Sequence, residues 1–330
     1  MDADSLESWA HPRPGFEVAA VGLGGAGSEA VQDLITFGTR GVRAVAVNTD
    51  LAHLSRVPAD ERILIGHREL KGRGSGGDRH AVLAAAEEGK EEILHRLSRF
   101  EVVFLLAGLG GGTGSALLPY LSTHLRKTDT LAIPVAFLPF QVELESNTDR
   151  RTNVYETLDE LEKMGGLLLV LANEKLRRFD TLPMYRIFQL RSAYLHNLVT
   201  SLVDMIEHPS QLNVDLASLK SHLRDSGLST LLCSEHHFSE PERLVQQALS
   251  ESLLDFELPR SPSALVHLDG GSNLTLRTFD RVLRVLRERL GNPRRFTLGT
   301  RTRPEPGEVV RLTAVIGGLE PRTVRNALAL

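Results

Sequence analysis

The chain has 330 residues, a formal net charge of −4 and 24% charged residues, a balance that gives no bulk preference for nucleic acid or an anionic membrane. Its one cysteine, Cys233, excludes an intramolecular disulfide and favours a reducing compartment, so we expect a cytoplasmic protein. No apolar run approaches the roughly 20 residues that a membrane-spanning helix requires, so we predict no direct membrane insertion.

The amino-terminal half alternates short apolar runs with helical patterns. An acidic, polar stretch at 1–15 comes first, and we predict that it forms a flexible arm. Apolar strands are expected at 16–21, 42–47, 63–65, 102–107, 131–138 and 167–172. Helices are expected at 30–37, 78–97 and 153–164. Apolar strands that alternate with helices indicate a parallel sheet covered on both faces, so we predict a Rossmann-like α/β domain over 16–181.

A long helical segment at 182–207 follows, and His208-Pro209 ends it. Beyond it the pattern changes to strands at 264–268 and 309–316 and an amphipathic helix at 275–290. We therefore predict a central helix over 182–207 and a smaller α+β domain with a mixed sheet over 208–330.

Three glycine clusters indicate the function. The first, GLGGAGS at 22–28, lies between a strand and a helix, and its candidate binding residues are Gly24, Gly25, Ala26 and Gly27. Glycines allow close backbone approach, and the N-terminus of the following helix offers free N–H groups to an anion. Taken alone, this cluster is also compatible with a dinucleotide fingerprint.

The second cluster, GLGGGTGS at 108–115, again lies between an apolar strand and a helix. Such a run suits a chain of N–H donors around a di- or triphosphate, because larger side chains would block the approach. The candidate binding residues are Gly110, Gly111, Gly112, Thr113, Gly114 and Ser115. No P-loop lysine pattern is present, so backbone dipoles from two loops would hold the phosphates.

The third cluster, GRGSGGD at 72–78, reads either as a flexible turn or as a γ-phosphate sensor built from Ser75, Gly76 and Gly77. Beside two phosphate loops, the sensor is the better interpretation. A dehydrogenase is disfavoured because the second cluster has no role in a dinucleotide-binding fold. The adjacent pair His236-His237 lacks distant partners with ligand geometry, so we predict no metal site built from protein side chains.

The segment 110–115 resembles the GGGTG(T/S)G signature of the tubulin/FtsZ superfamily, with Ala116 in place of the final glycine. The similarity is closer to FtsZ than to tubulin and extends from about residue 16 to residue 319. Supporting stretches are Pro139-Phe140, Asn173-Glu174-Lys175-Leu176, Asn213-Val214-Asp215, Leu253-Leu254-Asp255 and Gly270-Gly271. The resemblance implies GTP or GDP as the ligand, Mg²⁺ held mainly by phosphate oxygens and water, and head-to-tail self-assembly into filaments.

The resemblance also implies roles for single residues. The first and second glycine clusters would hold the phosphates, and Arg150 would lie near them. The loop that starts at Pro139 would contact the sugar through Glu143. Asn173 would read guanine, and Phe188 would stack on the base.

Two departures from the family pattern concern the base. Glu29 stands where the family usually has asparagine after the first glycine loop, and Ala193 stands where it has aspartate on the central helix. A carboxylate satisfies both N1–H and the 2-amino group of guanine, so its loss should cost about 1.5–3 kcal/mol. We hypothesise that Glu29 supplies the carboxylate from the opposite side. The alternative is that Glu29 only interacts with the helix dipole.

A third departure concerns catalysis. In the family, a loop after the central helix, here 211–219, completes GTP hydrolysis on the next subunit with the pattern N-x-D-x-x-D. This chain has Asn213 and Asp215, but Ser218 replaces the last carboxylate. A hydroxyl neither polarises water comparably nor binds a cation well, and water-positioning groups contribute about 10²–10⁴-fold. We therefore expect hydrolysis to be slow or absent.

Three functions are left open by these residues. The first is a filament-forming GTP-binding protein with slow or absent hydrolysis. The second is an ordinary dynamic FtsZ GTPase, which Ser218 disfavours. The third is a regulator or scaffold that copolymerises with, or caps, another FtsZ-like protein. No low-complexity tail follows the last predicted strand, and we interpret this as typical of a divergent paralogue.

Overall fold

The computed structural model describes residues 17–207, 216–254, 256, 263–320 and 324. Within these residues ten strands are found: β1 (Val18–Leu23), β2 (Val42–Asn48), β3 (Glu61–Leu64), β4 (Val102–Gly108), β5 (Leu131–Leu138), β6 (Leu168–Ala172), β7 (Leu228–His237), β8 (Ser263–Gly270), β9 (Arg295–Thr302) and β10 (Val309–Gly317). They form one sheet in the order β3-β2-β1-β4-β5-β6-β7-β10-β8-β9.

The described helices lie on both sides of this sheet. They are α1 (Gly24–Thr36), α2 (Leu51–Leu54), α3 (Arg79–Glu88), α4 (Lys90–Leu97), α5 (Gly112–Leu125), α6 (Gln141–Ser146), α7 (Thr148–Met164), α8 (Met184–Glu207), α9 (Leu216–Arg224), α10 (Pro241–Ser250) and α11 (Leu276–Arg289). A 3₁₀ helix, Asn173–Phe179, follows β6 directly. None of the helices in the described part of the chain combines the length and apolar character needed to cross a bilayer.

Strands β1 to β6 run parallel, and β4 illustrates why its sequence is apolar throughout. Phe104 and Leu106 pack on one face in the same cluster as residues of α1, whereas Val103 and Leu105 pack on the other face with residues of α5. A strand covered on both faces has no polar side to expose. The predicted α/β class with a parallel sheet is therefore confirmed.

The carboxy-terminal strands make a mixed arrangement, as predicted. β10 pairs antiparallel with both β7 and β8, while β8 pairs parallel with β9. β7 joins the first six strands through a short parallel pairing with β6, of Leu168 with Leu228 and Leu169 with Ser229. The central helix α8 packs against α1 and against β7 to β10, so it links a helix of the first half to the carboxy-terminal strands. The division into separate domains stays a prediction.

Several boundaries differ from the sequence-based expectations. The helix expected at 78–97 is two helices, α3 and α4, which meet at Gly89. β7, β9, α9 and α10 were not predicted. β9 lies at the edge of the sheet and is mostly half-buried, so its sequence RFTLGTRT carries few apolar residues. An edge strand of this kind lacks the apolar pattern by which buried strands are recognised.

Candidate functional site

A cleft of about 310 Å³ opens at the carboxyl ends of β1, β4, β5 and β6. β1 and β4 are neighbours in the sheet, yet α1 and α5, which follow them, cover opposite faces. The chain connections diverge at such a point and leave a crevice, which is where open α/β sheets bind ligands. Of the predicted site residues, those that line the cleft are Gly24, Gly25, Ala26, Glu29, Gly111, Gly112, Thr113, Gly114, Pro139, Glu143, Arg150, Asn173 and Phe188.

Two helix N-termini open onto this cleft. α1 begins at Gly24 and α5 begins at Gly112, and neither helix has a side-chain hydrogen bond at its N-cap. The first N–H groups of a helix have no partner within the helix, and the helix dipole makes this end electropositive. Two such ends at one cleft form an anion site that needs no lysine.

Glycine is required here by close backbone approach. Gly24 has φ +70°, and a Cβ at this position would lie 3.1 Å from the amide nitrogen of Gly114. The first and second glycine clusters therefore touch through backbone atoms. Thr113 is held in place by a hydrogen bond of 2.9 Å between its hydroxyl and that of Thr49.

Three predicted binding residues of the first two clusters, Gly27, Gly110 and Ser115, support the loops instead of lining the cleft. A Cβ at Gly27 would lie 2.1 Å from the carbonyl oxygen of Leu106, so this glycine lets α1 pack directly on β4. Ser115 is fully buried, and its Oγ accepts a hydrogen bond of 2.8 Å from the backbone N–H of Gly110. Gly110 itself has φ +101°, and its Cα packs against the side-chain stem of Arg150.

The third glycine cluster packs against the second without lining the cleft. A Cβ at Gly112 would lie 2.2 Å from Ser75 Oγ and 2.9 Å from the carbonyl carbon of Gly77. Gly76 has φ +59° and open space where a Cβ would be. Asn153, which sequence reasoning missed, donates from Nδ2 to the carbonyl oxygens of Gly77 at 2.9 Å and Gly110 at 3.2 Å. Asn153 thus holds the second and third clusters together.

An ion pair joins Glu143 and Arg150, both of which line the cleft. These residues were predicted to contact the sugar and the phosphates, respectively. The second carboxylate oxygen of Glu143 accepts a hydrogen bond of 3.0 Å from the backbone N–H of Phe140, the N-cap residue of α6. Pro139 precedes this turn and lines the cleft. The pair sets the position of both side chains beside the phosphate loops.

Where β6 and α8 border the cleft, its lining includes the side chains of Asn173 and Phe188. Asn173 is buried at the start of the 3₁₀ helix, and its Oδ1 has no hydrogen-bond partner among the described residues. Phe188 lies on α8 with its ring centroid 6.1 Å from that of Phe140. An unpaired buried acceptor beside an aromatic face is suited to a planar ligand that carries N–H donors.

Glu29 lines the cleft and is exposed, with a carboxylate oxygen 4.0 Å from Nε2 of His53. Since α1 begins at Gly24, Glu29 lies beyond the first turn, where an interaction with the helix dipole has already faded. Its position at the cleft is therefore more consistent with ligand contact than with dipole stabilisation. Ala193 is half-buried on α8 and does not line the cleft.

Arg191, also on α8, lines the cleft and was not predicted. Its side chain is 3% exposed, and its guanidinium carbon lies 4.3 Å from the ring centroid of Phe137 and 5.2 Å from that of Phe188. Burial lowers the pKa of Arg191 to about 10, so the guanidinium is still charged at neutral pH. The only signal in the sequence is its spacing of three residues from Phe188, which places both on one helix face.

The predicted catalytic loop is described only in part. Asn213 and Asp215 lie outside the described residues. Ser218 lies in the first turn of α9 and is exposed. Within the described ranges, no three histidine, cysteine, aspartate or glutamate side chains come together as metal ligands.

Two protein families match the chain. The tubulin/FtsZ family, GTPase domain, matches residues 17–180, and the FtsZ family, C-terminal domain, matches residues 234–320. The chain is 31% identical over 313 residues to the cell division protein FtsZ of Methanothermobacter thermautotrophicus, which covers 94% of this chain and 81% of that relative.

Solved structures agree with these matches. An FtsZ dimer from Methanocaldococcus jannaschii superposes with a TM-score of 0.80 at 32% identity, covering 96% of this chain and 90% of that one. CetZ2 from Haloferax volcanii, solved as a GTPγS-bound protofilament, gives a TM-score of 0.79 at 22% identity, covering 95% and 97%. The second likeness is one of fold.

Proposed function

The chain belongs to the tubulin/FtsZ family, and from this premise we propose that it is a GTP-binding cytoskeletal protein that assembles head to tail into filaments. The observation that carries the proposal is the convergence of two uncapped helix N-termini on one cleft. Both ends of the cleft fit a guanine nucleotide, since backbone N–H groups suit its phosphates and the unpaired Asn173 Oδ1 suits its base donors.

The phosphates would be held by N–H groups at the start of α1 and α5, around Gly24 and Gly112. The guanidinium of Arg150 lies beside these loops and would add a charge-assisted contact. Mg²⁺ would supply charge neutralisation between phosphate oxygens, with water as its other ligands. The third cluster packs on Gly112 and would report on the terminal phosphate.

Assembly would complete the site. The names of two structural neighbours, an FtsZ dimer and a GTPγS-bound protofilament, support self-association of this fold. We infer that the loop at 211–219 of one subunit reaches the nucleotide of the next, and that Ser218 there leaves one carboxylate too few. Water is then poorly positioned, so hydrolysis is slow or absent and filaments turn over slowly.

The test measures phosphate release from GTP with Mg²⁺ across a series of protein concentrations, beside sedimentation of the same samples. We expect sedimentation that requires GTP, with release close to that of buffer. Ser218→Asp restores the carboxylate and should raise the rate per molecule by about 10–100-fold above the assembly threshold. Ser221→Asp, one helical turn further along the same exposed face of α9, is the matched control and should leave the rate unchanged.

Each other outcome selects a different function. A parent rate that already climbs with concentration to the level of Ser218→Asp means an ordinary dynamic GTPase. A protein that binds GTP but sediments only together with an active FtsZ is a regulator or scaffold of that polymer. A protein that binds no guanine nucleotide refutes the proposal entirely.

A further inference from the structure

Arg191 is a buried cation at the cleft. Its side chain is 3% exposed, and its Nε has no hydrogen-bond acceptor in the part of the chain that the structure describes. In the described ranges, no aspartate or glutamate forms an ion pair with it. A buried charge without a partner of opposite charge strongly destabilises a protein. Such an arginine at a cleft therefore suggests that a bound ligand supplies the missing acceptors.

The nearest acidic side chains are engaged elsewhere. Asp33, Glu29 and Glu143 are the carboxylates whose charge acts on Arg191. Asp33 accepts a hydrogen bond from the hydroxyl of Ser192, and Glu143 pairs with Arg150. Glu29 is directed to solvent and to His53. Among the residues that the structure describes, the guanidinium therefore contacts the two aromatic rings, and its Nε has no acceptor.

The position of Arg191 identifies the part of the ligand that it would meet. Its guanidinium lies over Phe188 and shares the cleft with Asn173, which follows β6 and is separated by β5 from β4 and its glycine loop. For a purine nucleotide, this part of the cleft would receive the base. Guanine offers two acceptors, O6 and N7, in the spacing that a guanidinium fork matches, whereas adenine presents an amino group in place of O6.

We propose that Arg191 determines the choice of base, by donating to O6 and N7 of guanine and by opposing the 6-amino group of adenine. Asn173 Oδ1 then accepts from the base donors, so the two unpaired buried atoms of the cleft are satisfied by one ligand. The inference rests on the proposed function and deepens it, since it assigns guanine selectivity to a residue of α8. Glu29 also lines the cleft and would accept from N1–H and the 2-amino group of guanine.

The experiment compares diphosphate binding to the full-length parent, Arg191→Met and Arg191→Lys. The probes are GDP, IDP, 2-aminopurine riboside diphosphate and ADP, so that neither hydrolysis nor assembly enters the measurement. IDP keeps O6 but lacks the 2-amino group, whereas the 2-aminopurine nucleotide keeps the 2-amino group but lacks O6. Arg191→Met keeps the length of the stem and removes the charge and the donors.

We expect Arg191→Met to weaken GDP and IDP by roughly 10–100-fold and to change binding of the 2-aminopurine nucleotide far less. Selectivity for GDP over ADP should fall correspondingly. Arg191→Lys keeps the charge but not the fork, so its loss of affinity should be intermediate. The thermal midpoint of the nucleotide-free protein should be unchanged or higher in Arg191→Met, because an apolar residue replaces an unpaired buried charge.

The opposite results overturn the inference. Equal weakening of all four nucleotides means that Arg191 only shapes the cleft. Unchanged GDP binding with a lower thermal midpoint means that it serves the packing of the two phenylalanines. If Arg191→Met fails to fold, the same comparison of GDP with the 2-aminopurine nucleotide is made on Arg191→Lys. A parent that binds none of the four probes refutes the proposed function instead.

Discussion

The glycine clusters around the cleft and the sheet formed by β7, β10, β8 and β9 are stabilised in different ways. At the clusters, neighbouring segments approach so closely that a single added methyl group would overlap them, as between α1 and β4 at Gly27 and between the second and third clusters at Gly112. In and against the carboxy-terminal sheet, polar side chains are buried instead, including His267 on β8 and His222 on α9, whose Nε2 atoms have no partner among the described residues. Larger side chains in the first region should therefore lower the stability of the protein, and protonation of the buried histidines in the second region should do the same.

The largest expected effect tests the volume sensitivity. In Gly27→Ala the new Cβ would meet the carbonyl oxygen of Leu106 at 2.1 Å, and both atoms belong to packed elements that cannot move apart cheaply. We expect a loss of at least about 3 kcal/mol in the free energy of unfolding, measured by denaturant titration without nucleotide.

Gly25→Ala is the matched control on the same helix. The nearest atom to its new Cβ would be Nε2 of His53 at 3.8 Å, an ordinary van der Waals distance. Its stability should equal or slightly exceed that of the parent, since alanine favours the helix. Equal stability of the two variants would mean that α1 is not held against β4 as closely as described.

The next effect tests the proton sensitivity of the carboxy-terminal sheet. Burial lowers the pKa of both His222 and His267 to about 4, against about 6.5 in an unfolded chain. The unfolded state therefore binds protons that the folded state does not, and stability falls as the pH falls from about 6.5 towards 4. Between pH 7 and pH 5 we expect a loss of roughly 1–2 kcal/mol per histidine in denaturant titrations.

A double variant, His222→Gln with His267→Leu, should remove most of this acid sensitivity. His95→Gln, at an exposed position on α4, is the control and should keep it. If the double variant loses stability with acid as steeply as the parent, the proton sensitivity has another origin and the contrast between the two regions fails.

The smallest effect concerns Asn153, which makes the side-chain link between two glycine clusters. Asn153→Asp keeps the shape but removes the donor to the carbonyls of Gly77 and Gly110. Leaving these buried acceptors unpaired should cost about 1–2 kcal/mol of stability. Affinity for GTP should fall more than affinity for GDP if, as we propose, the third cluster senses the terminal phosphate.

Asn147→Asp serves as the control for Asn153, since Asn147 caps α7 through its Oδ1 and an aspartate can do the same. It should preserve both stability and the ratio of GTP to GDP affinity. A fall in that ratio for Asn147→Asp as well would assign the effect to added negative charge and not to the lost link.

The predictability of the molecule differs between the same two regions. The parallel strands and the loops after them were recognisable because buried strands are apolar throughout and because glycines are concentrated between strand and helix. β7 and β9 were missed, since β7 ends in the polar residues SEHH and β9 is a half-buried edge strand. The pairing of β6 with β7, which joins the two parts into one sheet, involves residues about sixty positions apart and leaves no local pattern.

By itself, the sequence determined the family, the sheet of the first half and the loops that meet at the cleft, because glycine spacing and apolar runs are local requirements of those structures. Only the tertiary structure decided which side chains from distant parts of the chain hold these loops and line the cleft. Asn153 reaches two loops that are far from it in sequence, and Arg191 is buried on α8 against Phe137 of β5, about fifty residues earlier in the chain. Long-range packing of this kind depends on how whole elements fit together, and no short stretch of residues specifies it.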